Sequence, residues 1–343
     1  MLQALIKELQ LRKSELQNQT IETIYFGGGT PSILTNDELF YLINAVHENY
    51  EVIDNPEITL EANPDDLTKD RIIQLSKSPI NRLSIGIQSF FQDDLLSMNR
   101  AHNSKEAKEC LTVATRYFDN ITIDLIYGIP NMSLKKWDEN LQIAFGFGVN
   151  HISSYALTVE PKTALDSFIK KGSYPPIDED LSLQHFNHLV AETKKEGFIQ
   201  YEISNFGKPD YFSKHNTSYW QDKSYLGIGP SAHSFNVDSR SWNISNNSKY
   251  ISSIADNLLP SETEILSIKD KFNEYVMTGL RTIWGISLSK IEDDYSAEFK
   301  EHLMSSIKPY LEKNLIEIID NKIIVTQNGK FLIDGIASQL FMI

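Results

Sequence analysis

Thr23-Ile24-Tyr25-Phe26 breaks into Gly27-Gly28-Gly29-Thr30-Pro31-Ser32, and the reading of this junction decides the fold. A β-branched and aromatic run predicts a strand, and three consecutive glycines at its end let the backbone approach a ligand closely. A helix is signalled next. Thr35 stands three residues before Glu38, the spacing of a capping box, ahead of apolar Leu39, Leu42, Ile43 and Val46. Taken alone, such a glycine turn serves equally well as a tight strand-to-helix connection.

The arrangement recurs down the chain. β-rich runs at Glu57 to Glu61, Arg82 to Gln88, Ile121 to Tyr127 and His151 to Thr158 alternate with helical patterns over 68–77, 104–118 and 134–147. Strands and helices alternating at this spacing form βαβ units, so the expected class is α/β with a parallel sheet. In parallel barrels the C-terminal strand ends carry the chemistry. Those ends hold Gly28, Gly29 and Thr30, then Glu61 with Asn63, then Gln88, Asp124 and Tyr155. One carboxylate at a strand end is ordinary. Two of them, with a glutamine and a glycine turn, predict one ligand ringed from several sides.

Four segments make a resemblance specific: GGGTPS at Gly27 to Ser32, LEANP at Leu60 to Pro64, IGIQSF at Ile85 to Phe90 and TIDLIYGIP at Thr122 to Pro130. They resemble motifs of radical S-adenosylmethionine proteins, and the chain as a whole is similar to the HemN/HemW family. That family has an oxygen-independent coproporphyrinogen III oxidase branch, in porphyrin biosynthesis, and a haem-chaperone branch that delivers haem to target proteins. YALTVEP (Tyr155 to Pro161), YEISNF (Tyr201 to Phe206), HNTSYW (His215 to Trp220) and YLGIGPSAHSF (Tyr225 to Phe235) resemble the chaperone branch. The resemblance implies a partial parallel (β/α) barrel of radical S-adenosylmethionine type over 1–205. A connecting segment with the HNxxYW motif over 206–260 and a C-terminal domain over 261–343 would follow.

The cofactors it implies are S-adenosylmethionine, haem and a [4Fe–4S] cluster. Gly28, Gly29 and Thr30 would lie against the methionine end of S-adenosylmethionine, Glu61 would hold a polar cofactor group, and Gln88, Arg100, Asp124 and Ala156 match further contacts. Taken singly, Arg100 reads equally as a surface salt bridge and Asp124 as a satisfied polar group. His215, Tyr219 and Trp220 are the implied haem contacts, by axial ligation and ring stacking. The alternative is that His215 and Asn216 make loop hydrogen bonds while Tyr219 and Trp220 pack beneath them. His233 is a competing ligand. The pairs His185/His188 and His47/His151 lack a metal-site pattern.

The departure from the family is in its cluster loop, CxxxCxxC, whose thiolates hold the iron. The sequence has one cysteine, Cys110, beside Leu111 and Ala114 in a helical pattern, where a buried inert thiol is the commoner role. The first eighteen residues read instead as an amphipathic helix with Leu2, Leu5, Ile6, Leu9 and Leu16 on one face. The expectation is therefore an N-terminally shortened chain that lacks the first barrel strand and the cluster ligands. Such a chain would not cleave S-adenosylmethionine reductively. A cluster-free haem-binding or partner-binding relative is the other reading. A hydrolase reading finds no nucleophile elbow or triad spacing.

After about residue 260 the pattern changes to a helix through Asn273 to Thr282. A hairpin of Leu315 to Ile319 and Ile323 to Val325 follows around Asp320-Asn321-Lys322, with Thr326 expected to cap the last helix. Helices followed by a hairpin resemble a winged helix. Charge argues against nucleic acid, since 32 Lys plus Arg against 46 Asp plus Glu give −14, the wrong sign for a phosphate backbone. The expected partners are haem-accepting target proteins, with membrane-associated acceptors and a homodimer among the options. The opening MLQALIKELQ lacks the apolar core of a secretory signal, no run approaches a membrane span, and a single cysteine permits no internal disulfide, so a cytoplasmic protein is expected. At 343 residues, with 41% apolar content, the chain exceeds what one core of about 150 residues serves.

Overall fold

A computed structural model describes residues 1–16 and 19–343 of the chain. Seven strands, β1 (Ile21–Phe26), β2 (Val52–Ala62), β3 (Arg82–Gln88), β4 (Asn120–Tyr127), β5 (His151–Ala156), β6 (Ile199–Gln200) and β7 (Asn205–Gly207), form one sheet in the order β1-β2-β3-β4-β5-β7-β6. From β2 to β5 the pairing is parallel. Strands covered on both faces are apolar throughout, and Leu83, Ile85, Ile87, Ile121, Ile123, Leu125 and Ile152 are all fully or almost fully buried.

The parallel order expected from the sequence stops at β5. There β7 pairs antiparallel, and β6 antiparallel to β7. The four residues between β6 and β7 are too few for a crossover, so the chain can only reverse.

Helices fill the connections: α1 (Leu2–Leu11), α2 (Asn36–Asn49), α3 (Lys69–Leu75), α4 (Gln92–Ser97), α5 (Ser104–Tyr117), α6 (Leu134–Gly146), α7 (Ala164–Lys170) and α8 (Glu179–Lys195). The capping box expected at Thr35 and Glu38 is present, and Asn103 with Glu106 makes a second one on α5. On α5 the buried face is Ala107, Cys110, Leu111 and Ala114, the helical stripe that also carries the single thiol inward.

The chain divides into two compact units, residues 25–34 with 58–212, and residues 1–24, 35–57 and 213–343. The second contains α9 (Lys214–Trp220), α10 (Asn247–Ala255), α11 (Ile268–Leu280) and two three-stranded sheets. One runs β10-β9-β8, built from β8 (His233–Phe235), β9 (Ser239–Asn243) and β10 (Ser261–Ile265). The other runs β11-β13-β12, built from β11 (Ile286–Ser287), β12 (Ile316–Ile319) and β13 (Lys322–Val325). The expected hairpin is β12–β13, turned by Asp320 and Asn321 at φ 49° and 62°, the left-handed pair of a two-residue hairpin.

Two local expectations fail. The first helix ends at Leu11, because Arg12-Lys13-Ser14-Glu15 offers no apolar face and Arg12 turns inward. Leu16 therefore lies outside the helix, and residues 17 and 18, expected within it, lie outside the described residues. Thr326 does not cap the last helix. Its hydroxyl donates to the Asn314 carbonyl at 2.7 Å, and the helix Ile333–Gln339 begins later, after a single 3₁₀ turn, with no side-chain cap. Gly329 sits so close to the Leu315 carbonyl that a Cβ would meet that oxygen at 2.1 Å, so this stretch is held as a packed turn first. Among the described residues, no helix is long and apolar enough to cross a membrane.

Candidate functional site

The site is built on the C-terminal ends of β1 to β5. Gly28 and Gly29 take φ of 72° and 64°, and a Cβ on either would meet nothing within 4 Å. The turn therefore needs glycine for its backbone and presents open space above it. Glu61, at the end of β2, fixes the turn: one carboxylate oxygen accepts from the Gly28 N–H at 3.1 Å and the other from the Tyr25 hydroxyl at 2.7 Å. Burial, with the Glu61 charge second, raises the Tyr25 phenol far above its ordinary pKa. The far end of the turn is tied too, since Ser32 donates to Asp66 at 2.7 Å and the same carboxylate oxygen accepts from Asn63 at 3.4 Å.

Next along the sheet, Gly86 decides the geometry. A Cβ there would meet Gln88 Nε2 at 3.0 Å, Arg100 Nη2 at 3.2 Å and Asn63 Oδ1 at 3.8 Å. Three polar side chains from separate segments thus converge over a backbone that has no side chain of its own. Arg100 donates to Asn63 Oδ1 at 2.9 Å. Gln88 is held at φ 64°, a left-handed conformation that costs a non-glycine residue about 1–2 kcal/mol. The backbone beyond Gln88 is braced: the Phe90 N–H donates to Asn140 Oδ1 at 2.7 Å, and Ser89 donates to Asp94 at 2.7 Å. Lys136 in turn meets Asp93 and Asp94, each at 2.6 Å.

Asp124, at β4, is pushed up to about 7, first by burial and second by the negative charge of Glu61; a hydrogen bond with Ser153 and the cations Arg82 and Arg100 oppose the shift. The strand ends therefore bring together one carboxylate engaged with donors and another that burial and the Glu61 charge make harder to ionise. Gly28, Glu61, Gln88, Arg100 and Asp124 come together as expected. Gly29 continues the open turn, and Thr30 and Ala156 stand at the ends of the same strands. Sequence reasoning missed Tyr25, Ser153 and Gly86. Tyr25 was visible only as a strand residue two positions before the glycines.

The HNTSYW segment is helical, not a loop, as α9. Its first N–H groups, from Lys214 and His215, donate to the Glu57 carboxylate at 3.1 and 3.0 Å, an anion at a helix N-terminus. Both ring nitrogens of His215 are engaged, Nδ1 with Thr23 Oγ1 at 2.9 Å and Nε2 with the Tyr219 hydroxyl at 3.0 Å. The Tyr219 ring stands edge-on to His215 at 4.9 Å and to Tyr225 at 4.5 Å. Trp220 meets another group: the Arg281 guanidinium lies 5.5 Å over its ring.

Two of the remaining histidines, His151 and His185, are packing groups, whereas His47 is exposed and His188 pairs with Asp138 at 2.8 Å. His151, fully buried, bonds Thr122 and Tyr201, and His185 accepts from the Gly128 N–H, with burial driving it down to about 4. Among the described residues no cluster of three metal-ligating side chains occurs. Cys110 is buried on α5, and burial pushes its thiol up to about 12.

Comparison with known proteins places these features. Residues 4–144 match the Radical SAM superfamily, and residues 266–332 match the HemN C-terminal domain. A protein named heme chaperone HemW from Bacillus subtilis is 31% identical over 336 residues, covering 96% of this chain and 88% of that one. Another of that name, from Buchnera aphidicola of Acyrthosiphon pisum, is 32% identical over 340 residues, covering 94% and 83%. In fold, the chain is similar to the coproporphyrinogen III oxidase HemN of Escherichia coli, a radical SAM enzyme, with TM-score 0.84, 22% identity and coverage of 99% and 82%.

Proposed function

The chain belongs to the radical S-adenosylmethionine family as a relative of HemW, and from this kinship we propose that it binds haem and hands it to acceptor proteins. The observation that carries this reading is the similarity to proteins named heme chaperone HemW, which extends over the strand-and-helix part and the C-terminal part together. The likeness to HemN carries the fold alone. An acidic chain, at −14, is repelled by nucleic acid and suits protein acceptors better.

The same reading assigns S-adenosylmethionine to the strand ends. The donor set fits it. Arg100 and Gln88 over Gly86 can take a carboxylate, the open turn at Gly28, Gly29 and Thr30 can lie against an amino-acid moiety, and Glu61 and Asp124 can accept from an ammonium or from ribose hydroxyls, with Ala156 along the rim. When bound, the cofactor supplies an activated sulfonium. The residues of this chain bind and orient it and, at Asp124, hold a proton near neutral pH. A [4Fe–4S] cluster does not fit the residues present, because its iron needs several thiolates and Cys110, buried in a helix, is the single cysteine of the sequence. No reductive step is assigned to this chain.

The test is a ferric haem titration of the full chain, followed by mixing with an apo-globin. A stoichiometric Soret shift and haem transfer to the acceptor are expected. Absence of binding, or a complex that never releases haem, would refute the assignment.

A further inference from the structure

His215 and Tyr219 stand four residues apart on α9, so their side chains leave one face of the helix a turn apart. The start of that helix is fixed. Ser213 caps it by accepting from the Asn216 N–H at 3.2 Å, and the Glu57 carboxylate is spent on the N–H groups of Lys214 and His215. Glu22, the neighbour of Thr23, is paired with Lys223 at 2.8 Å. The imidazole meets a hydroxyl at each nitrogen, Thr23 at Nδ1 and Tyr219 at Nε2.

The two hydroxyls are not equivalent. Thr23 lies inside β1, on a short β-branched side chain that is stiff at χ1. Tyr219 is 41% exposed, and its ring stands edge-on between His215 at 4.9 Å and Tyr225 at 4.5 Å. Tyr225 is itself held in place, exchanging backbone hydrogen bonds with Phe235 at 2.9 and 3.0 Å. The Tyr219 hydroxyl can therefore swing away without unpacking a core, whereas the Thr23 hydroxyl cannot. One nitrogen of His215 is anchored and the other is covered by a removable group. A histidine that ligates a metal donates its other ring N–H to a fixed acceptor, which sets the tautomer and the ring orientation.

We propose that Thr23 and Tyr219 tune how strongly His215 holds haem iron: Thr23 accepts from Nδ1–H and so keeps the lone pair on Nε2, while Tyr219 donates to that lone pair and competes with the iron for it. Iron bonds when the Tyr219 hydroxyl leaves, and the hydroxyl returns on hand-over. The apparent affinity is reduced by the fraction of molecules whose nitrogen is uncovered, which suits a carrier that must give up its cargo. Both groups act through His215, so they are positioning residues, and Tyr219 serves here through its hydroxyl rather than by ring stacking. The proposal rests on the haem-carrying reading above, with His215 as the iron ligand.

The experiment titrates ferric haem into the full chain and its variants, read by the Soret band and electron paramagnetic resonance, and times haem release to excess apo-globin. A thermal melt accompanies each variant. One hydrogen bond of ordinary net strength corresponds to about fivefold in an equilibrium constant. Tyr219→Phe keeps the ring and loses the hydroxyl, so it should bind haem about fivefold more tightly and release it more slowly, with the wild-type imidazole spectrum. Thr23→Val keeps the shape and loses the acceptor, so it should bind about tenfold or more weakly, the loss typical of a group that orients a metal ligand. Thr23→Ser should restore the affinity, and His215→Ala should lose the imidazole signature. A packing role for Tyr219 would weaken binding on removal of its hydroxyl, not tighten it. Unchanged or weaker binding by Tyr219→Phe, wild-type binding by Thr23→Val, or an imidazole signature that survives His215→Ala would overturn the proposal and leave haem binding intact. A wild type that binds no haem would overturn the haem-carrying reading itself, and this competition with it.

Discussion

Replacing Asp124 by Asn tests the electrostatics of the strand-end pocket through stability alone. In the folded chain this carboxyl is raised from 3.8 to about 7, by burial first and by Glu61 second. A group whose native pKa exceeds its unfolded one binds its proton more tightly when folded. Its contribution is therefore complete below about pH 4 and is lost as the pH rises through about 7. About three pH units at about 1.4 kcal/mol each set a ceiling on the order of 4 kcal/mol. Asp124 keeps some contact with solvent, so about 2 kcal/mol is the working figure after screening. Asn keeps the shape and never ionises. Asp124→Asn should thus match the wild type to within about 1 kcal/mol near pH 5 and exceed it by about 2 kcal/mol near pH 8.5. Urea denaturation of both proteins at pH 5, 7 and 8.5 measures this. A stability difference that stays constant from pH 5 to 8.5 would refute the reasoning.

Gly86→Ala should weaken S-adenosylmethionine binding by about tenfold or more while costing under about 1.5 kcal/mol in stability, because the new methyl crowds the side-chain ends of Gln88 and Arg100 at 3.0 and 3.2 Å and meets Asn63 Oδ1 at an ordinary 3.8 Å. Calorimetric titration paired with a thermal melt separates the two effects, and unchanged affinity would sink the cradle. Glu8→Ala should cost about 3–5 kcal/mol, since it strips a buried partner from Arg12, Tyr250, Asn243 and Gly229 at once. A loss under about 1 kcal/mol in urea would show that Gly229 and its neighbours are not held by this carboxylate. Reconstituted with iron and sulfide, the chain should release no 5′-deoxyadenosine from S-adenosylmethionine, because it has one buried cysteine, and product detected by chromatography would overturn this.

The parts of the fold that were legible in sequence are those whose signal is local. Arg82 to Gln88 was bounded correctly because Leu83, Ile85 and Ile87 recur along it and the polar Arg82 and Gln88 mark its ends, and Thr35 with Glu38 needs only four residues to announce a helix start. Strand ends were legible for a related reason: parallel topology delivers every C-terminal end to one edge, so Glu61 and Gln88 could be grouped without knowing any contact, whereas Asp124 lies three residues before the end of β4. Gly86 escaped because its meaning lies in Asn63 and Arg100, which reach it from different segments; within its own strand it reads as a weak point in a β pattern. Glu8 escaped differently. Placed among Leu2, Leu5, Ile6 and Leu9, a carboxylate looks like the polar edge of an amphipathic helix, and only the donors Tyr250 and Asn243, more than two hundred residues away, turn it into a buried brace. The same distinction applies to His215. The HNTSYW segment attracts attention by composition, but only the contacts show that Thr23 and Tyr219 meet both nitrogens of its ring.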